Sequence, residues 1–197
     1  SNECSGQWND PAFFSTFAEN CSVVSANDLP KNISSASAVT VESAINVVTP
    51  GKVGSVAVKT IKGSHQFFRD LEIKLTGPDN TEVTLIKNKC GSYNGNFNFG
   101  LSDLSLTAFS CPPNNTGGLY KPENPLSVFK DKNLAGAWKL VLKDGVIGSG
   151  GTLQEFKLEF CSSAALNPPV LVKNEPLQIN SGETKGIPQN LLQATDV

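Results

Sequence analysis

The chain contains one histidine, His65, in the stretch SHQFFRDLEIKLTGPDN, with Asp70 five positions on. A histidine, an acid and a serine are the ingredients of acyl-transfer catalysis, in which the acid orients the imidazole and the imidazole activates the hydroxyl. Serines abound, but no Gly-x-Ser-x-Gly elbow is present, and GSGG at 148–151 reads as a hairpin turn. His65 is therefore expected to order the connection ahead of the strand starting at Leu71 through a hydrogen bond, and the chain itself is not expected to be catalytic. Three aspartates suggest a different chemistry. Asp70, Asp103 and Asp144 each stand at the end of an alternating apolar run. If those ends share one rim, three carboxylates could supply Ca2+, which takes six to eight oxygen ligands. Capping of the local backbone turn is the competing role of a strand-end aspartate.

Two tyrosines offer a third chemistry. Tyr93 and Tyr120 fall outside the alternating runs, as do Phe67 and Phe68. Exposed rings on sandwich loops stack on sugars or anchor a protein partner, so a glycan or protein ligand at Tyr93 and Tyr120 is one expectation. Burial of Phe67 and Phe68 beneath the sheet is the preferred alternative for that pair. Three triplets, starting at Asn20, Asn32 and Asn114, fit the N-glycosylation sequon.

The five cysteines are Cys4, Cys21, Cys90, Cys111 and Cys161, without a C-x-x-C. With one histidine, neither an ordinary zinc set nor a thiol enzyme is indicated, which leaves disulfides and an oxidising, secreted or cell-surface setting. Cys90 and Cys111 bracket a Gly/Asn/Pro-rich loop and are expected to pair. Cys161 ends a strand, and Cys21 is the expected mate. The rival pairing is Cys4 with Cys21, leaving Cys161 free.

The elements that position these residues are strands. Leu71, Ile73 and Leu75 alternate with Glu72 and Lys74. Phe97, Phe99 and Leu101 repeat the pattern, as do Trp138, Leu140 and Leu142, and then Phe156, Leu158 and Phe160. A period of two places each apolar set on one face, against a core. Weaker runs lie at 39–48, 53–61, 81–87 and 126–129, and GPDN, NGN, NNTGG and KDG separate them as turns. The expected fold is all-β: an antiparallel β-sandwich of jelly-roll type with about eight strands. A short N-terminal helix is expected over 10–20, where Asp10 caps, Pro11 takes the first position and Phe13, Phe14 and Phe17 share a face. The expected domains are a helix and linker over 1–36, the sandwich over 37–162, and a linker with the start of another domain over 163–197.

The chain has 197 residues, 39% of them hydrophobic, and a formal net charge of −2. That charge gives no basic surplus for nucleic acid or anionic lipid, and no apolar run reaches the roughly 20 residues of a membrane span. With no methionine, even at position 1, the sequence reads as an excised or processed fragment.

From about residue 41 to 161 the ordered pieces VGSVAVKTIKGSHQFFRDLEIKLTGPDNTEVTLI, FNFGLSDLS and GLYKPENPLSVFKDKNLAGAWKLVLKDGVIGSGGTLQEFKLEFC resemble the P domain (P/Homo B domain) that accompanies the catalytic domain of subtilisin-like proprotein convertases and occurs in secreted bacterial proteins. Gln66 and Arg69 depart from the family's usual Thr and small residue. The resemblance implies a non-catalytic accessory module that contacts neighbouring domains of the same polypeptide, stabilises or regulates a secreted serine-type or metallo-type endopeptidase, and in some relatives binds calcium. The tail from Asn167 is similar to the start of a cadherin-like repeat, and an adhesion or carbohydrate-binding module is the alternative function.

Overall fold

A computed structural model describes residues 20–162, 170–174, 182 and 192–195. Of these, residues 20–162 fall in one compact unit. Within it ten strands build two sheets. The first strands are β1 (Asn20–Ser25), β2 (Lys31–Ile33), β3 (Val39–Val47), β4 (Val53–His65) and β5 (Leu71–Thr76). They are followed by β6 (Glu82–Lys87), β7 (Gly95–Leu101), β8 (Gly118–Tyr120), β9 (Gly136–Asp144) and β10 (Gly151–Ser162).

The larger sheet runs β1-β10-β4-β7-β8, with β2 also on β10; the smaller runs β3-β9-β5-β6. Alternation explains the layering. Trp138, Leu140 and Leu142 of β9 and Leu71, Ile73 and Leu75 of β5 are all buried, as are Phe97, Phe99, Phe156, Leu158 and Phe160 of the facing sheet. Each large apolar side chain removed from water contributes about 1.5–3 kcal/mol. Trp138 sits between the rings of Phe129 (centroids 5.0 Å apart) and Phe160 (4.9 Å), and its indole N–H donates to the Leu134 carbonyl at 2.9 Å. The indole thus fills the core without stranding its one polar atom.

Several expectations are revised. The run at 126–129 is a 3-10 helix, not a strand; Leu126 and Phe129, three apart, are both buried, the spacing of one 3-10 face. The larger sheet is mixed, because β8 joins β7 in parallel. β1 and β2, which lie within the segment read as helix and linker, pair with β10. The helix expected over 10–20 lies outside the described residues except for Asn20, which begins β1. Beyond the sandwich, β11 (Val170–Asn174) and β12 (Leu192–Thr195) pair antiparallel.

Candidate functional site: a buried histidine clasp and an apolar rim

His65 is the last residue of β4 and is paired on both sides, with Gly151 of β10 and Gly95 of β7. The approach at Gly151 is so close that a Cβ there would lie 1.9 Å from the Ser64 carbonyl oxygen. From His65 the chain crosses to the other sheet through the 3-10 turn Phe68–Asp70 and enters β5. Phe68, wholly buried, pins that crossing by packing edge-on to Phe97 at 5.2 Å.

The imidazole spans the same gap. His65 Nε2 lies 3.1 Å from Oδ2 of Asp144, the last residue of β9, and neither side chain is exposed to solvent. The second carboxylate oxygen of Asp144 accepts the Val146 N–H at 3.0 Å. His65 Nδ1 faces the backbone of Phe67, 2.9 Å from its carbonyl oxygen and 3.2 Å from its amide nitrogen. One position along, Asp70 Oδ2 accepts the Ser149 hydroxyl at 2.9 Å, and the Asp70 carbonyl accepts the Gly145 N–H at 3.3 Å. Gln66 completes the seam: its side-chain oxygen accepts the Gly150 N–H and its own N–H donates to the Gly150 carbonyl, both at 3.0 Å. Residues 65–70 and 144–151 are therefore stitched together, and His65 orders the connection into β5.

This arrangement is not catalytic in form. Both ring nitrogens are occupied within the fold, and the nearby Ser149 hydroxyl bonds to Asp70 rather than to His65. A general base needs an accessible nitrogen within hydrogen-bond reach of its nucleophile.

The three aspartates do not form one donor set. Asp70 and Asp144 share a rim, where Leu71 and Asp144 are register partners. Asp103 follows β7 at the opposite end, where Leu101 pairs with Val58. There Asp103 accepts the Leu126 and Ser127 N–H groups at 2.9 and 2.8 Å, capping the 3-10 helix Leu126–Phe129. Among the described residues no group of three or more His, Cys, Asp or Glu side chains is placed to hold a metal ion. The fold thus does not bring Asp70, Asp103 and Asp144 together as one set.

Nor do the tyrosines form a stacking platform. Tyr120 is only 6% exposed and packs against Phe99 and Phe109, with ring centroids 6.2 and 5.1 Å away. Tyr93 is half-buried against the core, and its hydroxyl donates to the Asn96 carbonyl at 2.7 Å. The two bonds Cys21–Cys161 and Cys90–Cys111 are formed.

Sequence reasoning missed the long-range contacts of two carboxylates, and a surface. Asp28 locks the β1–β2 connection to β3, accepting from Lys31 Nζ and Ser43 Oγ at 2.6 Å each and from the Ala44 N–H at 3.2 Å. Partial burial pushes its carboxyl up, but those three donors together hold it below its ordinary value. Asp79, in the GPDN turn, is held at about 2 by the Lys132 ammonium 2.6 Å away and by the Thr81 N–H. Lys31 and Thr81 are local partners, but Ser43, Ala44 and Lys132 are distant in sequence, and no local signal marks those contacts.

The missed surface lies at the Asp103 rim. Leu104 and Leu106 are 90% and 101% exposed, and Leu119 and Val128 about half. The loop that carries Leu104 and Leu106 is nonetheless tightly held. Leu104 N–H donates to Ser102 Oγ, Ser105 Oγ–H to the Leu119 carbonyl, and Thr107 N–H to Ser105 Oγ, at 3.0–3.2 Å. A groove of about 460 Å3 beside Leu104 is walled by Val56, Ala57, Leu126 and the Cys21–Cys161 bond. Sequence periodicity does not reveal which leucines a loop turns outward.

A family model, the proprotein convertase P-domain, matches residues 53–160. Among solved structures, an Aeromonas sobria serine protease is 20% identical, with a TM-score of 0.42, over 72% of this chain and 27% of that one. The Aeromonas sobria serine protease in a complex with a chaperone is 19% identical, with a TM-score of 0.44, over 73% and 28%. The chain thus spans little more than a quarter of the length of these structures. No curated protein matches significantly.

Proposed function

The chain belongs to the proprotein convertase P-domain family, and from that premise we propose that it is a non-catalytic accessory domain of a secreted protease, packing against and stabilising a catalytic domain of the same polypeptide. The observation that carries this reading beyond family membership is the rim of Leu104, Leu106, Leu119 and Val128. Outward leucines cost solubility, and large exposed apolar side chains on segments tied together at one rim point to an interaction surface. A rigid loop loses little conformational freedom on docking. Within one polypeptide, effective concentrations near millimolar make a modest interface sufficient. Two disulfides support an extracellular setting. His65, Asp144 and Asp70 act in this reading as the clasp that keeps the two sheets in register beneath the loops.

The test is to introduce Leu104→Asp and Leu106→Asp together into the protease-bearing polypeptide. The expected result is a lower Tm for the catalytic domain, with the sandwich still folded. An unchanged Tm in that variant, and in one lacking the sandwich altogether, would remove the proposal.

A further inference from the structure

Beyond the accessory role, we propose that Asn94, immediately before β7, is a site of spontaneous succinimide formation and converts to aspartate and isoaspartate as the protein ages. The backbone nitrogen of Gly95 attacks the side-chain carbonyl carbon of Asn94. A C–N bond closes the five-membered ring, the bond to the side-chain amide nitrogen breaks, and ammonia leaves with the proton from Gly95. Water then opens the ring at either carbonyl. One opening gives aspartate; the other routes the main chain through the Asn94 Cβ as isoaspartate. Water is the only co-reactant and no electrons change hands.

Three observations select this residue. Asn94-Gly95 is the one Asn-Gly pair in the chain, and glycine places no Cβ in the path of the attacking nitrogen. Asn94 is exposed, and among the described residues no hydrogen bond holds its side-chain amide. Gly95 is the first residue of β7, so ring closure at its nitrogen disturbs only the terminal rung of that strand, opposite His65. The chain also supplies an internal contrast. Asp144-Gly145 is its one Asp-Gly pair and can in principle form the same ring, but Asp144 is wholly buried and both carboxylate oxygens are held, by His65 and by the Val146 N–H.

The location gives the reaction a structural consequence. Tyr93 accepts the Phe68 N–H through its carbonyl at 3.0 Å and reaches over the turn to the Asn96 carbonyl through its hydroxyl. Gly95 is the register partner of His65. An isoaspartate lengthens the backbone by one carbon between these two anchors, beside the histidine clasp.

The experiment is to hold the full chain at mildly alkaline pH and physiological temperature and map peptides by mass spectrometry with fragmentation that separates the two acids. The expected result is a time-dependent exchange of –NH2 for –OH at residue 94, isoaspartate exceeding aspartate, with residue 144 unchanged. Asn94→Gln should remove the product and, separately, Gly95→Ala should slow its formation severalfold in the unfolded reference as well as in the fold. The urea-unfolded chain serves as the reference for intrinsic reactivity. Conversion at residue 94 in the unfolded chain but none in the folded one would overturn the proposal, as would conversion at residue 144 as fast as at 94.

Discussion

His65 Nε2 and Asp144 Oδ2 lie 3.1 Å apart across the two sheets, although 79 residues separate them in sequence and water reaches neither side chain. Removing one partner of so buried a pair leaves the other with a charge or a donor that nothing satisfies. His65→Leu is therefore expected to destabilise the sandwich by about 3 kcal/mol or more, measured by urea unfolding. The double change His65→Leu with Asp144→Leu should be less damaging than the sum of the two singles, because the residues share one interaction. Strict additivity would show that they act separately.

Acid should loosen the structure in a defined window. The Asp79 carboxyl is held at about 2 in the fold, below its ordinary value of 3.8. A depressed carboxyl stabilises fully above its unfolded value, and that contribution disappears as pH falls through the folded one. Stability should thus fall as pH drops from near 4 toward 2, and Asp79→Asn should flatten part of that slope. Asp28, also lowered, adds to the same trend with the same sign. An identical acid slope in Asp79→Asn would disconnect Asp79 from it.

The two disulfides should differ in worth. Cys21 and Cys161 close 140 residues, Cys90 and Cys111 only 21. Chain entropy assigns about 3 kcal/mol to a loop near the shorter length and about 5 kcal/mol to one beyond 100 residues. Thermal unfolding of the paired Cys→Ser variants should show the larger loss for Cys21 with Cys161.

Thr76 Oγ1 is the one buried side-chain polar atom without a hydrogen bond among the described residues. Replacing a stranded hydroxyl by a methyl removes a desolvation cost of about 1 kcal/mol or more. Thr76→Val should raise Tm, and a fall would reveal a partner for that hydroxyl.

Asp103→Ala removes the cap of the 3-10 helix Leu126–Phe129 and should cost about 1 kcal/mol. Millimolar calcium should leave this cost unchanged. A calcium-induced rise in Tm that the substitution abolishes would restore a metal-binding role to Asp103.

The layers were legible because alternation is a local property. Leu71, Ile73 and Leu75, or Trp138, Leu140 and Leu142, declare their face without reference to anything distant. Cys90 and Cys111 bracket their own loop, so that pairing could be read too. Convergence could not. Asp70, Asp103 and Asp144 look alike in sequence, each closing an apolar run, yet β7 runs opposite to the direction that would bring Asp103 to the other two. Strand direction is set by pairing between remote segments. Tyr120 misled for a related reason: β8 is three residues long, too short to show a period, and its burial comes from Phe99 and Phe109. Edge strands β1 and β2 carry little apolar pattern and are defined by their pairing with β10, a remote segment.

The register of β1 against β10 has a mechanical consequence. Asn20 lies opposite Ser162, and the covalent tie at Cys21 and Cys161 sits one residue inside that pair. A pull transmitted through the flanking chain enters and leaves at nearly the same point, so the sulfur–sulfur bond bears the load and everything between the two cysteines feels none. Once reduced, the same geometry would let β1 peel from β10 one rung at a time, starting at the pulled end.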